Sequence, residues 1–148
     1  MTAPTIHASA VLVGPRAVLI RGPSGSGKSR LAFALIQAGI NGMLPFARLV
    51  GDDRVYIEAT HGRLLVRPAA TLAGLIEIRG LGLRRLPYEP VAVVGLVFDL
   101  EAPEGERLPE PTTVTSLAGL AVPRLRAAPG ADALGMLIAA LRTADSGH

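Results

Sequence analysis

The stretch AVLIRGPSGSGKSRLAFALIQAG, Ala17–Gly39, decides how the rest of the chain is read. It opens on an apolar run, passes through closely spaced glycines, and continues with Leu31, Leu35 and Ala38 on one face at helical spacing. A glycine loop between a strand and an amphipathic helix is expected, with Gly39 placed to end the helix. Gly22, Gly27, Lys28 and Ser29 satisfy the pattern G-x-x-x-x-G-K-[ST]. Glycines let the backbone close around phosphate with several N–H groups pointing inward, the lysine neutralises β and γ oxygens, and the serine hydroxyl can ligate Mg²⁺. The positive end of the following helix points at the same phosphates. Gly22, Pro23, Ser24, Gly25, Ser26, Gly27, Lys28 and Ser29 form the expected phosphate cradle.

Upstream, IHASAVLVG and RAVLIRG read as two strands joined by a tight turn at Gly14-Pro15. Downstream, NGMLPFAR reads as a connection leading to LVGDD, a short apolar approach that ends in Asp52 and Asp53. RVYIEA and RLLVRPA flank THG as a β-hairpin, and LIEIRGLGLRRLP is a strand that breaks into a glycine turn. VAVVGLVFDL, apolar for nearly its whole length, is the strongest candidate for a buried strand. EAPEGERLPEPT reads as an exposed acidic loop, and VTSLAGLAVPRLRAAPG as a short strand and turn. ADALGMLIAALR is a C-terminal helix, and TADSGH is expected to fray. No internal repeat or low-complexity segment is present.

With 148 residues the chain fits one catalytic-size domain. Hydrophobic residues make up 49% and charged residues 18%, which opposes disorder, and no apolar run reaches the length of about 20 residues that spans a membrane. The absence of cysteine excludes disulfides and thiolate metal sites, and His7, His61 and His148 are too scattered for a zinc site. The start, MTAPTIHASA, has no secretory pattern, so the expected location is cytoplasmic. The net charge of +3 comes mainly from dispersed arginines, and with two tyrosines, three phenylalanines and no tryptophan a nucleic-acid surface is not expected. The basic excess suits a phosphate pocket or an acidic protein partner.

A nucleotide site needs an acidic residue for the metal, and the sequence offers two answers. Asp99 ends an apolar strand, as in a generic phosphate-loop NTPase or small-molecule kinase. Asp52 and Asp53 follow the shorter run RLVG, and in extended backbone their side chains point to opposite faces, which implies different roles. In LIEIRG the two-residue period sets Glu77 with Leu75 and Arg79, opposite Ile76 and Ile78. Taken alone, Glu77 and Arg79 suit a structural ion pair.

The histidine near the start, AVLIRGPSGSGKS, LVGDD and LIEIRGLGL, in this order and spacing, resemble the catalytic domain of HPr kinase/phosphorylase. That family's motifs are a histidine ahead of the loop, a G-x-S-G-x-G-K-S loop, an L-V-A-D-D stretch and an I-E-V-R-G-L-G signature. The resemblance runs from Ile6 to Val97 and is similar to a short, α-proteobacterial-type form with no N-terminal regulatory domain, so 1–148 would be a single P-loop catalytic domain. It implies an α/β fold, a strand-rich P-loop kinase core resembling the phosphoenolpyruvate carboxykinase nucleotide-binding domain. It also implies ATP and Mg²⁺ as cofactors, and HPr or its nitrogen-branch relative in the bacterial phosphotransferase system as the serine substrate. Lys28 would sit on the transferring group, Ser29 near Mg²⁺, Asp52 as general base, and Asp53 as a supporting or metal-linked carboxylate. Glu77 would be a Mg²⁺ contact, Arg79 would lie near the phosphates, and His7 would help around the transferring phosphate. The same aspartate, once protonated, would serve the reverse phosphorylase direction. His61 has no counterpart and reads as a hairpin residue.

Some positions depart from the family pattern. Arg30 stands where the family commonly has Glu, and Ala131 stands where a P-G-R-N element would place its arginine after Pro129-Gly130. HPr docking, the phosphorylase direction and a hexameric homo-oligomer depend on that C-terminal part, with Arg124 or Arg126 as substitutes. Two other functions compete: a small-molecule kinase or generic NTPase using Asp99, and a nonenzymatic ATP sensor.

Overall fold

The structure is a computed structural model that describes residues 5–101, 113–128 and 131–143. Its described elements are β1 (Thr5–Val13), β2 (Arg16–Arg21), α1 (Lys28–Ile40), β3 (Ala47–Gly51), β4 (Arg54–Thr60), β5 (Arg63–Pro68), β6 (Leu75–Ile78), β7 (Gly82–Arg85), β8 (Ala92–Leu100), β9 (Val114–Leu117), β10 (Leu120–Ala127) and α2 (Ala133–Arg142). Strands dominate, as the hairpin-rich sequence implies, and the fold is a strand-rich α/β.

Eight strands form one sheet that closes on itself. The path β2–β1–β4–β5–β8 returns through a β8–β2 pairing, while β3 joins β1 and β10 and β9 extend from β8. Small and β-branched residues fill one buried cluster, with Ala8, Ala10 and Ala17 among Leu19, Val55, Val66, Val94 and Val97. Alternation then sends Val18, Ile20 and Phe98 to a second cluster, where they pack against Leu31, Leu35 and Ile36 of α1 and Leu137 of α2. Each large side chain buried there contributes roughly 1.5–3 kcal/mol.

The strands β2, β8 and β10 run parallel, with Arg21 level with Asp99 and Asp99 level with Arg126. The glycine loop leaves the carboxyl end of β2, so it opens where ligands commonly bind parallel α/β sheets. The β4–β5 hairpin turns through His61 and Gly62 with φ 52° and 76°, the left-handed pair that a two-residue hairpin loop demands. His61 is thus a turn residue.

Three expectations are corrected or extended. Gly39 does not end α1; the helix runs on to Ile40 with Asn41 as its cap, because a Cβ at position 39 would stand 2.7–2.8 Å from Ala47, and glycine lets β3 pack against the helix. LIEIRGLGLRR is a full hairpin, β6–β7, with Glu77 opposite Leu83. VTSLAGLAVPRLRA is also a hairpin, β9–β10. The acidic loop after Glu101, Pro129-Gly130 and the end of the chain after Thr143 lie outside the described residues. No helix among the described residues is long and apolar enough to cross a membrane.

Candidate nucleotide and phosphoryl-transfer site

Ser29 is the second residue of α1, and its Oγ lies 2.8 Å from both carboxylate oxygens of Asp52. Asp52 follows β3, which α1 packs against, so the loop serine and the acid meet across 23 residues of sequence. Ser9 Oγ of β1 donates to the same carboxylate at 2.6 Å, and the backbone N–H of Glu77 donates at 3.1 Å. Asp52 is only 4% exposed, and these donors compensate its burial. Both of its oxygens are engaged.

Asp53 is exposed and has φ 68°, a left-handed conformation uncommon for a residue with a Cβ. Its carbonyl accepts from Ala8 N–H at 3.2 Å, while Arg54 N–H returns to the Asp52 carbonyl at 2.8 Å. The chain therefore turns sharply between β3 and β4, burying one carboxylate and presenting the next to solvent. His7 is exposed at this rim, with Nε2 facing Arg54 Nη2 at 3.1 Å, so its Nε2 acts as acceptor. Glu77 is exposed on the outer face of β6; its backbone, rather than its carboxylate, reaches Asp52. Arg79 is exposed in the turn that follows.

The loop fits a phosphate. Gly25 and Gly27 have φ 80° and 97°, and α1 begins with no side-chain cap and no acid in its first turn, leaving its amide donors for an anion. Ser26 Oγ is buried without a partner among the described residues, a donor that phosphate oxygen would satisfy. Lys28 Nζ lies on the Gly22 and Pro23 carbonyls at 2.8 and 3.2 Å. A phosphate dianion is the stronger acceptor for that ammonium. A Cβ at position 22 would stand 2.5 Å from Ser26 Oγ and 2.9 Å from the Leu100 carbonyl oxygen. Gly22→Ala should therefore weaken ATP binding by about tenfold or more in calorimetric titration, with unchanged helix content by circular dichroism.

The donor set also suits Mg²⁺, a hard ion that takes hydroxyl and carboxylate oxygen and keeps water and phosphate ligands. Ser29 and Asp52 supply such oxygens. No cluster of three or more His, Asp or Glu ligands occurs among the described residues, so the phosphates would complete the set.

Asp99 is committed elsewhere. Arg21 holds it with two bonds, Nε to Oδ1 at 2.7 Å and Nη2 to Oδ2 at 2.8 Å, and Arg124 Nε donates to Oδ2 as well. Burial pushes the Asp99 carboxyl up, yet the bonds and charges of Arg21 and Arg124 outweigh it and hold the group below its ordinary 3.8. A carboxyl depressed by folding contributes stability above its unfolded pKa and loses it as pH falls through the folded value. Asp99→Asn should lower stability by about 3 kcal/mol at pH 7. The difference from wild type should shrink as pH drops below about 3.9 in urea titrations. Of the two arginines considered as C-terminal substitutes, Arg124 is thus paired with Asp99, and Arg126 lies 3.5 Å from Glu101. Ala131 is exposed and offers no cation.

Sequence reasoning missed Ser9 and the two arginine partners of Asp99. Ser9 had one signal, a lone hydroxyl in the apolar centre of HASAVLV.

The strand-to-helix glycine loop, with a buried carboxylate on its terminal serine, defines a strand-rich α/β fold of the phosphate-loop class. A family model described as HPr Serine kinase C-terminal domain matches residues 2–86. The chain belongs to that family. Among its relatives, an HPr kinase/phosphorylase of Clostridium tetani is 38% identical over 65% of this chain and 32% of the relative. One of Streptococcus thermophilus is 36% identical over 82% of this chain and 41% of the relative. The chain therefore spans about a third to two fifths of the length of these relatives. The solved Hpr(Ser) kinase/phosphatase of Coxiella burnetii superposes with a TM-score of 0.76 and 25% identity, covering 94% of this chain and 88% of that one.

Proposed function

We propose that the chain is a Mg²⁺- and ATP-dependent serine kinase acting on HPr or a nitrogen-branch HPr relative, and that the same site runs the phosphorylase reaction in reverse. The observation that carries this is the Ser29–Asp52 contact, 2.8 Å to both carboxylate oxygens, at the mouth of the glycine loop. Family membership supplies the acceptor class. The ATP phosphates would lie on the loop amides and the α1 terminus, with Lys28 and Arg79 on the transferring end. Mg²⁺ would be held on Ser29 and the Asp52 side, with Glu77 nearby, neutralising the phosphate charge.

We assign the two aspartates differently from the sequence expectation. Asp52 is buried and saturated with donors, which suits a fixed anion on the metal side. Asp53 is exposed beside His7, which suits a base that must meet an incoming hydroxyl. In the forward direction Asp53 takes the serine proton as its oxygen attacks the γ phosphorus, and the bond to ADP breaks. In reverse, inorganic phosphate attacks phosphoserine, Asp53 returns the proton to the leaving serine oxygen, and pyrophosphate forms. A cytoplasmic homo-oligomer belongs to the same proposal.

The test is incubation with ATP, Mg²⁺ and purified HPr-type proteins from the same organism, with mass spectrometry to place the phosphate. Phosphoserine on one of them is expected; no labelled serine on any would sink the assignment. Asp99→Asn is expected to retain transfer, at a temperature where it is folded, because Asp99 faces arginines rather than the loop serine.

A further inference from the structure

The β6–β7 hairpin carries a surface that the chemistry at Asp52 does not explain. Leu81, in the turn, is 66% exposed and Leu83, on β7, 62%, two large apolar side chains left in solvent side by side. Arg85 shares the strand face of Leu83, Arg84 stands at the edge on the Ile76 side and Arg79 in the turn; all three are exposed, and none has a side-chain hydrogen bond or ion pair among the described residues. The hairpin's other face is used: Ile76 is fully buried and Ile78 packs beside it against the α1 core. Cross-strand pairing puts Leu83 directly opposite Glu77 and so on the same face. Glu77 is the residue whose N–H holds the Asp52 carboxylate. The apolar patch thus begins one cross-strand step from the catalytic acids. Arg85 extends it to a concavity of about 530 Å³ at the hairpin root, shared with Gly74, Leu86 and Tyr88.

We infer that this outer face is the seat on which the protein acceptor docks, its leucines against an apolar spot beside the acceptor serine and the arginines of β7 against carboxylates around that spot. The inference rests on the kinase function proposed above. Charge selects the occupant. The hairpin carries three unpaired cations against the single carboxylate of Glu77, so two copies of it repel and a two-fold contact between identical hairpins is disfavoured, whereas an acidic rim on another protein is drawn in. Exposed apolar side chains ringed by arginine are also the composition of interface centres. Because β6 is tied to Asp52 through one backbone bond, a partner seated here brings its serine toward the exposed Asp53 next to it.

The experiment measures steady-state phosphorylation of an HPr-type protein by the full chain and by a Leu81→Ser/Leu83→Ser double variant, with melting temperature and ATP affinity recorded for both. The expected result is a KM for the protein raised at least tenfold, with kcat and ATP affinity within twofold of wild type. A second variant, Arg84→Glu/Arg85→Glu, should also raise this KM and should remove most of its increase with salt. Unchanged protein KM in both variants overturns the docking inference while leaving the kinase assignment standing. Conversion of a wild-type oligomer to monomers by the leucine variant, with protein KM unchanged, would give the face to a second copy and equally overturn it. Absence of serine labelling by wild type removes the kinase assignment and the docking inference with it.

Discussion

Asp53→Asn should leave Mg²⁺-ATP affinity within about twofold of wild type and cut serine phosphorylation by about 10²–10⁴-fold, the usual worth of a positioned base. The exposed Asp53 makes no hydrogen bond to the loop, and its backbone is turned outward by the left-handed φ of 68°. Asparagine favours that conformation at least as well, so the fold should not suffer. The loss belongs to kcat, since removing a proton acceptor affects the transition state and not nucleotide binding. Nucleotide titration alongside single-turnover transfer separates the two. A variant that transfers phosphate at near wild-type rate would return the base to Asp52.

Asp52→Asn should behave in the opposite sense, losing affinity for Mg²⁺-ATP by about tenfold or more and stability as well. Asparagine keeps the shape but turns one acceptor oxygen into a donor, and Ser9, Ser29 and the Glu77 amide all donate to this group. At least one buried donor is stranded, at a cost of about 1–3 kcal/mol. The lost charge also removes the anion beside the loop serine. Binding of ATP without Mg²⁺ should change less, and that difference identifies the metal side. If Asp52→Asn instead binds Mg²⁺-ATP normally and fails only in transfer, the division of roles between the two aspartates is reversed.

The local features were legible in the sequence because local spacing encodes them. The glycine loop lies between the strand and helix that its flanking periodicity implies, and the hairpin at His61-Gly62 follows turn chemistry, whereas at Gly80–Gly82 the sequence showed the turn and not the return strand β7. Asp52 and Asp53 differ in burial because the chain turns left-handed at Asp53, φ 68°, rather than through the alternation of extended backbone expected from the sequence. What escaped depends on contacts distant in sequence. Arg21 and Asp99 are 78 residues apart, and only the parallel register of β2 and β8 brings them level. An acid at the end of an apolar strand looks like a metal ligand until its arginines are seen. Gly39 resembled a helix end by the rule that glycine follows the last turn, yet here its missing Cβ makes room for Ala47. Closure of the sheet from β8 back to β2 is likewise a non-local pairing that no window of sequence contains.

The most direct measurement is a structure of the chain with Mg²⁺ and a non-hydrolysable ATP analogue. The ion should lie about 2.1 Å from Ser29 Oγ on the Asp52 side. Lys28 Nζ should have left the Gly22 carbonyl for a phosphate oxygen, with Asp99 still held by Arg21 and Arg124. An ion bound by Asp99, with Arg21 and Arg124 displaced and Asp52 still closed on Ser9 and Ser29, would contradict it.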